Sequence, residues 1–414
     1  MRKVDLQWIF VLFGTAVGAG ILFLPLQASA SGFIPLIIAT ILVLPMIFFA
    51  EKNVASLVMS HPDKQVGLTE VFSQELGSFG AFISTIIYLL SCYTVVLAYA
   101  ISLPIAFSHL LYVLHLGSDH LYSSIWFSFF IFLILIIVVE LGKKMVLRVM
   151  SYVIYPLVIA LLLVSVALIP SWNLSFITSS SFNFMAIIKG LIMVIPILVF
   201  SMNFSQSISE MCLFYKQEST SESEAKIKAY KNIRIGTVLI LFFTMFFTFS
   251  TIMSLHPEEI SSAVASNQTI LTKVASVYKM RAFDYAAPLI AVAGIVSSFI
   301  GVYLGTREAL RGIIIQIVHK DTEVIRKQSA IATDIFVVFF IFITLWLASI
   351  FNPSIVSILG QLTAPCIALM IFFLPLFIIY RSKGMISYRK NALSIFLALS
   401  GIVVVIGYFI GSII

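Results

Sequence analysis

Charge is scarce in this chain: 18 acidic and 25 basic side chains stand among 414 residues, of which 61% are hydrophobic. A sequence so poor in polar groups, with a mean hydropathy of +1.11, is not that of a soluble protein. Cysteine is scarcer still. Cys92, Cys212 and Cys366 each fall inside an apolar run, which excludes a disulfide framework and a zinc cluster. The six histidines (61, 109, 115, 120, 256 and 319) stand in loops or at the ends of apolar runs, so axial haem ligation deep in a membrane is excluded. No small-residue cleavage site follows the first apolar run, so no removable signal peptide is expected. There is no GxSxG, no HExxH and no pair of intramembrane aspartates, which removes the hydrolase classes. No re-entrant filter segment or ring of charge marks a channel. The chain is therefore not expected to be an enzyme, and no cofactor, metal, nucleic acid or obligate protein partner is expected.

What the chain has instead is apolar length. Runs near 20 residues recur from end to end, the signature of an all-α integral membrane protein. Eleven transmembrane helices are expected, at 7–29, 32–52, 79–107, 121–140, 146–169, 186–214, 233–255, 285–311, 331–351, 357–380 and 391–413. With the N-terminus in the cytoplasm, 21 of the 25 Lys and Arg residues fall in inside segments. Only Lys273, Lys279 and Arg281 lie outside, and Lys189 lies near a span end. The bias puts the N-terminus inside and the C-terminus outside a bacterial inner membrane. The net charge of +7 is a topology signal, not a nucleic-acid patch.

Two of these spans are irregular. GTAVGAGILFLP (14–25) places Gly14, Gly18 and Gly20 within seven residues, and each glycine costs about 1 kcal/mol against alanine in a helix interior. Either Gly14 and Gly18 form a GxxxG packing pair, or the span unwinds around a polar cavity. Five spans later, VIPILVFSMNFSQSIS (194–209) sets Ser201, Asn203, Ser205 and Ser207 two residues apart. That spacing does not share one helix face and predicts a short extended break after Pro196. Breaks in the first and sixth spans are the mark of an inverted-repeat transporter. The expected plan is one transport domain over 1–414: a five-helix repeat (1–170), a second (171–382) and an extra eleventh helix (383–414).

Several polar residues within or near spans leave two readings open. Glu210 is either an intramembrane ion-coupling carboxylate or already solvated in a vestibule. Asp5, Arg307 and Glu308, at the cytoplasmic ends of the first and eighth spans, are either a gate of ion pairs or ordinary solvated ends. Ser297 and Ser298, in the eighth span, either join unwound carbonyls to hold a small hard cation or bond back to their own helix. Tyr93 and Tyr99 of the third span are packing aromatics whose hydroxyls need partners.

These motifs, with FFAEKN (48–53), SSFIGVYLGTREAL (297–310), FNPSI (351–355) and TAPCIALMIFFLP (363–375), resemble the hydroxy/aromatic amino acid permease family. That family belongs to the amino acid–polyamine–organocation superfamily, with a leucine-transporter-type 5+5 inverted repeat plus one extra helix. The forms FSMNFS and LGTREA are similar to its serine/threonine proton-symporter branch. The resemblance implies import of a small polar amino acid, serine or threonine first, coupled to protons by alternating access. A sodium-coupled symporter or an uncoupled exchanger of the same fold is the alternative, and a non-transporting sensor a remoter one. It further implies that amides of Ala19 and Gly20 face the substrate carboxylate at a half-helix N-terminus. Carbonyls of Thr15 and Ala16, with Phe200 and Ser201, would accept from its ammonium. Asn203 would read a side-chain hydroxyl by both donating and accepting, and Tyr93 would close the pocket. A cation, if used, would meet carbonyls of Gly14 and Val17 with Ser297 and Ser298.

Overall fold

A bilayer core offers backbone groups no water, so apolar runs of this length bury their N–H and C=O groups by coiling into helices. The computed structural model shows this outcome. It describes residues 2–18, 20–173, 175–178, 183–265, 270–278, 281–318, 325–352 and 363–411, among which there is no β-strand. Eight helices among them are long and apolar enough to cross a membrane, and Ile125–Glu140 and Pro365–Arg381 are shorter apolar helices. The chain is an integral membrane protein.

The first apolar run is two helices, α1 (Lys3–Ala16) and α2 (Gly20–Ser29). Helix α3 (Phe33–Met59) and the long α4 (Leu68–Val113) follow, α4 bending at Gly77, whose φ of 70° suits a residue without a Cβ. Next come α5 (Ile125–Glu140) and α6 (Lys143–Ala167). The sixth apolar run is again two helices, α7 (Phe184–Ser201) and α8 (Ile208–Glu218), joined by a 3-10 turn at Ser205–Ser207. Helix α9 (Glu222–Ser254) leads to two short helices, α10 (Pro257–Ala265) and α11 (Ile270–Tyr278), then to α12 (Arg281–Val318) and α13 (Ile325–Phe351). The chain ends with α14 (Pro365–Arg381), which carries a π turn at Leu369–Phe373, and α15 (Asn391–Gly411).

Three features differ from the sequence reading. The sixth-run break is not extended: α7 continues helically through Pro196 to Ser201, and the chain then turns tightly at Met202–Ser207. Proline removes one N–H donor but does not stop this helix, and α15 packs closely against it there, where a Cβ on Gly407 would overlap the Ile192 carbonyl that Pro196 cannot engage. Helices α10 and α11 were not anticipated, although Pro257 at a first helical position with Glu258 and Glu259 behind it is a helix-start pattern. Helix α3 runs to Met59, seven residues beyond the expected end of its span, so Glu51 is interior instead of terminal.

The broken first run lies at the centre. Helix α1 packs against α6, α9 and α12, while α2 packs against α7 and α9. Helix α12 in turn runs along α4. The approach of α1 to α12 is close because Gly301 has no side chain: a Cβ there would overlap Thr15 Oγ1. Gly301→Ala should therefore destabilise the folded protein by ~1–3 kcal/mol, the usual cost of overpacking a core. Its thermal midpoint in detergent should fall below wild type; an unchanged midpoint would mean that α1 and α12 can part without cost.

Candidate functional site

The two breaks face one another. A small cavity of about 20 Å³ lies between them, lined from the first run by Thr15, Ala16 and Gly20, and from the sixth by Phe200, Ser201, Asn203 and Gln206. Val95 and Tyr99 of α4, Val302 of α12 and Ile367 of α14 complete it. A space of this size holds roughly one water, so a larger ligand enters only as the surrounding helices separate. A second space, near 230 Å³, lies by α5 and Asn352, away from both breaks, and gathers no charged side chain.

Hydroxyl groups tie the breaks to the helices around them. Tyr99 and Ser298 hydroxyls are 2.8 Å apart, and Ser298 Oγ donates to the Thr15 carbonyl at 2.6 Å. Because Ser298 has one proton and spends it on Thr15, Tyr99 must be the donor in the first contact. Thr15 Oγ1 donates to the Val11 carbonyl at 2.6 Å and so accepts from Ser207 Oγ at 2.7 Å; the Gly301 carbonyl, 3.2 Å from Ser207 Oγ, is the longer alternative for that one proton. The break in α7–α8 is held from two further sides. Asn203 Oδ1 accepts the Ser205 N–H at 3.2 Å, and Glu51 Oε1 of α3 accepts the Phe204 N–H at 3.1 Å. With its oxygen engaged, the NH2 of the Asn203 carboxamide is what remains to donate at the cavity. Gln206, which also lines the cavity, has its Oε1 buried without a protein partner.

Among the residues named from the sequence, Thr15, Ala16, Gly20, Phe200, Ser201 and Asn203 meet at this cavity. Ala19 lies outside the described residues. Tyr93 does not reach the cavity; its hydroxyl donates to Thr344 Oγ1 of α13 at 2.6 Å. Six residues along a helix turn through well over one revolution, so Tyr93 and Tyr99 point to different sides, and Tyr99 is the one that faces the breaks. The residues named for a cation lie close together, Gly14 beside Ser297 and Gly18 beside Ser298, but both serine hydroxyls are engaged within the protein. Ser297 Oγ bonds back to the Gly294 carbonyl at 3.0 Å, Ser298 takes the Thr15 carbonyl instead of those of Gly14 or Val17, and the Val17 carbonyl lies against Gly294. A Cβ on Gly14 would meet Ile154 and Met150 of α6 and, at 3.0 Å, Ser297 of α12, whereas a Cβ on Gly18 would come within 2.6 Å of both Ser298 and Tyr99 Oη.

The three gate candidates go separate ways. Asp5 accepts from Tyr215 Oη at 2.9 Å and pairs with Arg2. Arg307 pairs with Glu140 of α5 at 3.1 Å. Glu308 accepts from the Leu68 N–H and Ser209 Oγ, both at 2.7 Å, and from Tyr88 Oη at 3.2 Å. Glu308 thus pins the start of α4 to the start of α8, two helix ends whose free N–H groups favour an anion. Glu210, in the first turn of α8, lies in the electrostatic neighbourhood of Glu308 and Tyr88. Sequence reasoning missed Glu51 and Gln206. Lys52 beside Glu51 made that position look like a solvated span end, and Gln206 sat within a break read only for its serines and Asn203.

A membrane bundle that unwinds two helices around a central polar cavity has the build of a secondary transporter. The chain belongs to the tryptophan/tyrosine permease family, whose match extends over residues 3–413. It is a permease, not an enzyme. It is 30% identical over 418 aligned positions to the serine transporter SdaC of Escherichia coli (strain K12), covering 99% of this chain and 95% of that one. It is also 30% identical to the threonine/serine transporter TdcC of Edwardsiella tarda, over 98% of this chain and 95% of that one.

The hydroxyl relay yields a double-mutant test. Tyr99→Phe and Ser298→Ala should each lower stability by ~1 kcal/mol, and the double variant should lose clearly less than the sum. Thermal unfolding of the four proteins measures the coupling; strict additivity would show that the two hydroxyls do not act together.

Proposed function

We propose that this permease imports serine or threonine by proton-coupled alternating access, with the amino acid bound between the two helix breaks. The observation that carries this reading is the convergence of both breaks on one polar cavity, and the relatives named as serine and threonine transporters support the substrate. The amide end of α2 at Gly20 faces the carboxylate, where the helix dipole favours an anion. Carbonyls of Thr15 and Ala16 and of Phe200 and Ser201, at the C-terminal ends of α1 and α7, accept from the ammonium. The Asn203 amide donates to the side-chain hydroxyl and Gln206 Oε1 accepts from it, so an analogue lacking the hydroxyl leaves two buried polar groups unpaired. Tyr99 takes the closing position from α4.

In the membrane, we place eleven crossings: the eight long helices, the two shorter apolar ones and the broken α1–α2 pair. They divide into repeats over 1–170 and 171–382 with α15 as the extra helix, N-terminus in the cytoplasm and C-terminus outside the bacterial inner membrane. Glu308, Asp5 and Arg307 then lie on the cytoplasmic side. There they act through separate partners, Glu308 by joining α4 to α8, instead of as one ion-pair gate. The basic residues concentrated at that side support this orientation. Opening toward the cytoplasm requires α4 and α8 to part at Glu308, and opening toward the outside requires movement of α2 with α10 and α11. Protons are the coupling ion, with Ser298 serving as structural support; sodium held near Ser297 and Ser298 is the competing possibility.

L-serine uptake into proteoliposomes, with pH and sodium gradients imposed separately, tests the function. Uptake should follow an inward acid gradient at equal sodium and persist in Ser298→Ala at reduced rate. Uptake that requires a sodium gradient would overturn the coupling. Two variants test the site. A Cβ at Gly20 meets nothing closer than 3.5 Å, so Gly20→Val should fold, fill the cavity and abolish uptake. Asn203→Ala should weaken serine relative to alanine by ~1–3 kcal/mol, the cost of a buried group left unpaired. Equal losses for both amino acids would assign Asn203 to holding the turn alone.

A further inference from the structure

Glu51 sits in the interior of α3 with no solvent exposure, and it is the side chain that holds the second break from behind. Its Oε1 takes the Phe204 N–H, a backbone donor freed by the break, and its Oε2 is buried without a partner. Among the described residues no cation pairs with it. Lys52, next in the chain, turns to the rings of Tyr230 and Phe48, at 4.9 and 5.9 Å. From the elements packed on α3, the nearest titratable groups meet it a turn or more further along. Cys212 of α8 faces the Ala55 carbonyl, Tyr230 of α9 bonds Ser56, and Lys216 of α8 donates to the Val58 carbonyl. Glu210 of α8 lies in the neighbourhood of Glu308. Lys189 of α7 and Arg381 of α14 stand near the ends of their helices.

We propose that Glu51 carries the coupling proton, binding it on Oε2 while Oε1 stays on the α7–α8 break. This rests on the proton-coupled reading given above. In the charged form the bond to Phe204 is charge-assisted, roughly twice as strong as its neutral counterpart, and clamps the turn that presents Asn203 and Gln206 to the cavity. A proton from the outer solution forms an O–H bond at Oε2, cancels the buried charge and loosens that clamp. Release of the same proton to the cytoplasmic side restores it. Phe204 and Asn203 are adjacent, so substrate and proton act on one turn from its two faces. Whatever the proton does to substrate affinity, the substrate must do equally to proton affinity.

Glu51→Gln separates these roles, since the amide oxygen can still accept from Phe204 but cannot take up and release a proton. In proteoliposomes, wild type first establishes whether an inward acid gradient accumulates serine; failure there sinks the coupling reading itself and Glu51 with it. Given that result, Glu51→Gln should exchange external for internal serine within about threefold of wild type, because the neutral hydrogen bond is kept. It should fail to accumulate serine under the acid gradient and lose the pH dependence of uptake, and Glu51→Asp should recover part of both. Accumulation by Glu51→Gln at wild-type level overturns the proposal. Loss of exchange together with accumulation overturns it too, because it leaves Glu51 a structural role only.

Discussion

An unwound backbone at membrane depth must find hydrogen-bond partners, because each buried N–H or C=O left bare costs several kcal/mol in hydrocarbon. The arrangement of this protein follows from meeting that requirement twice. The first break is served by Ser298, whose hydroxyl reaches the Thr15 carbonyl, and the second by Glu51 and Asn203, which accept from Phe204 and Ser205. Thr15 and Ser207 join the two breaks directly, and Gly301 is bare so that they can lie against α12.

The same requirement explains what the sequence made legible. The first break was readable because three glycines in seven residues oppose a helix and nothing else in the run compensates. The second was readable as polar residues two apart, but its shape was not: alternation suggested extended chain, whereas Asn203 caps a turn with its own side chain, a local contact that spacing does not encode. Choosing between Tyr93 and Tyr99 needs the rotational phase of α4, which the sequence of a helix buried on several faces does not fix. Glu51 was hidden for a different reason. Apolar-run counting stopped α3 at the Glu-Lys pair, while the helix continues for two turns into Val-Ala-Ser-Leu-Val-Met and encloses Glu51.

Charged groups show the division of labour most clearly. Asp5, Arg307 and Glu308 share one end of the bundle in the sequence reading, yet each closes a different helix junction: α1 to α8, α12 to α5, and α4 with α8 to α12. Glu51 differs from these in holding the second break by way of the Phe204 N–H, with its other carboxylate oxygen buried and unpartnered.

The central claim is that the amino acid lies between the two breaks. Val95 lines that space from α4 and makes no polar contact with either break, and the native cysteines are buried. Val95→Cys labelled with a small thiol reagent in right-side-out membranes measures occupancy directly. The account predicts that L-serine slows labelling, with half-protection near the concentration that half-saturates uptake. Labelling at an unchanged rate under saturating L-serine would place the substrate elsewhere and contradict it.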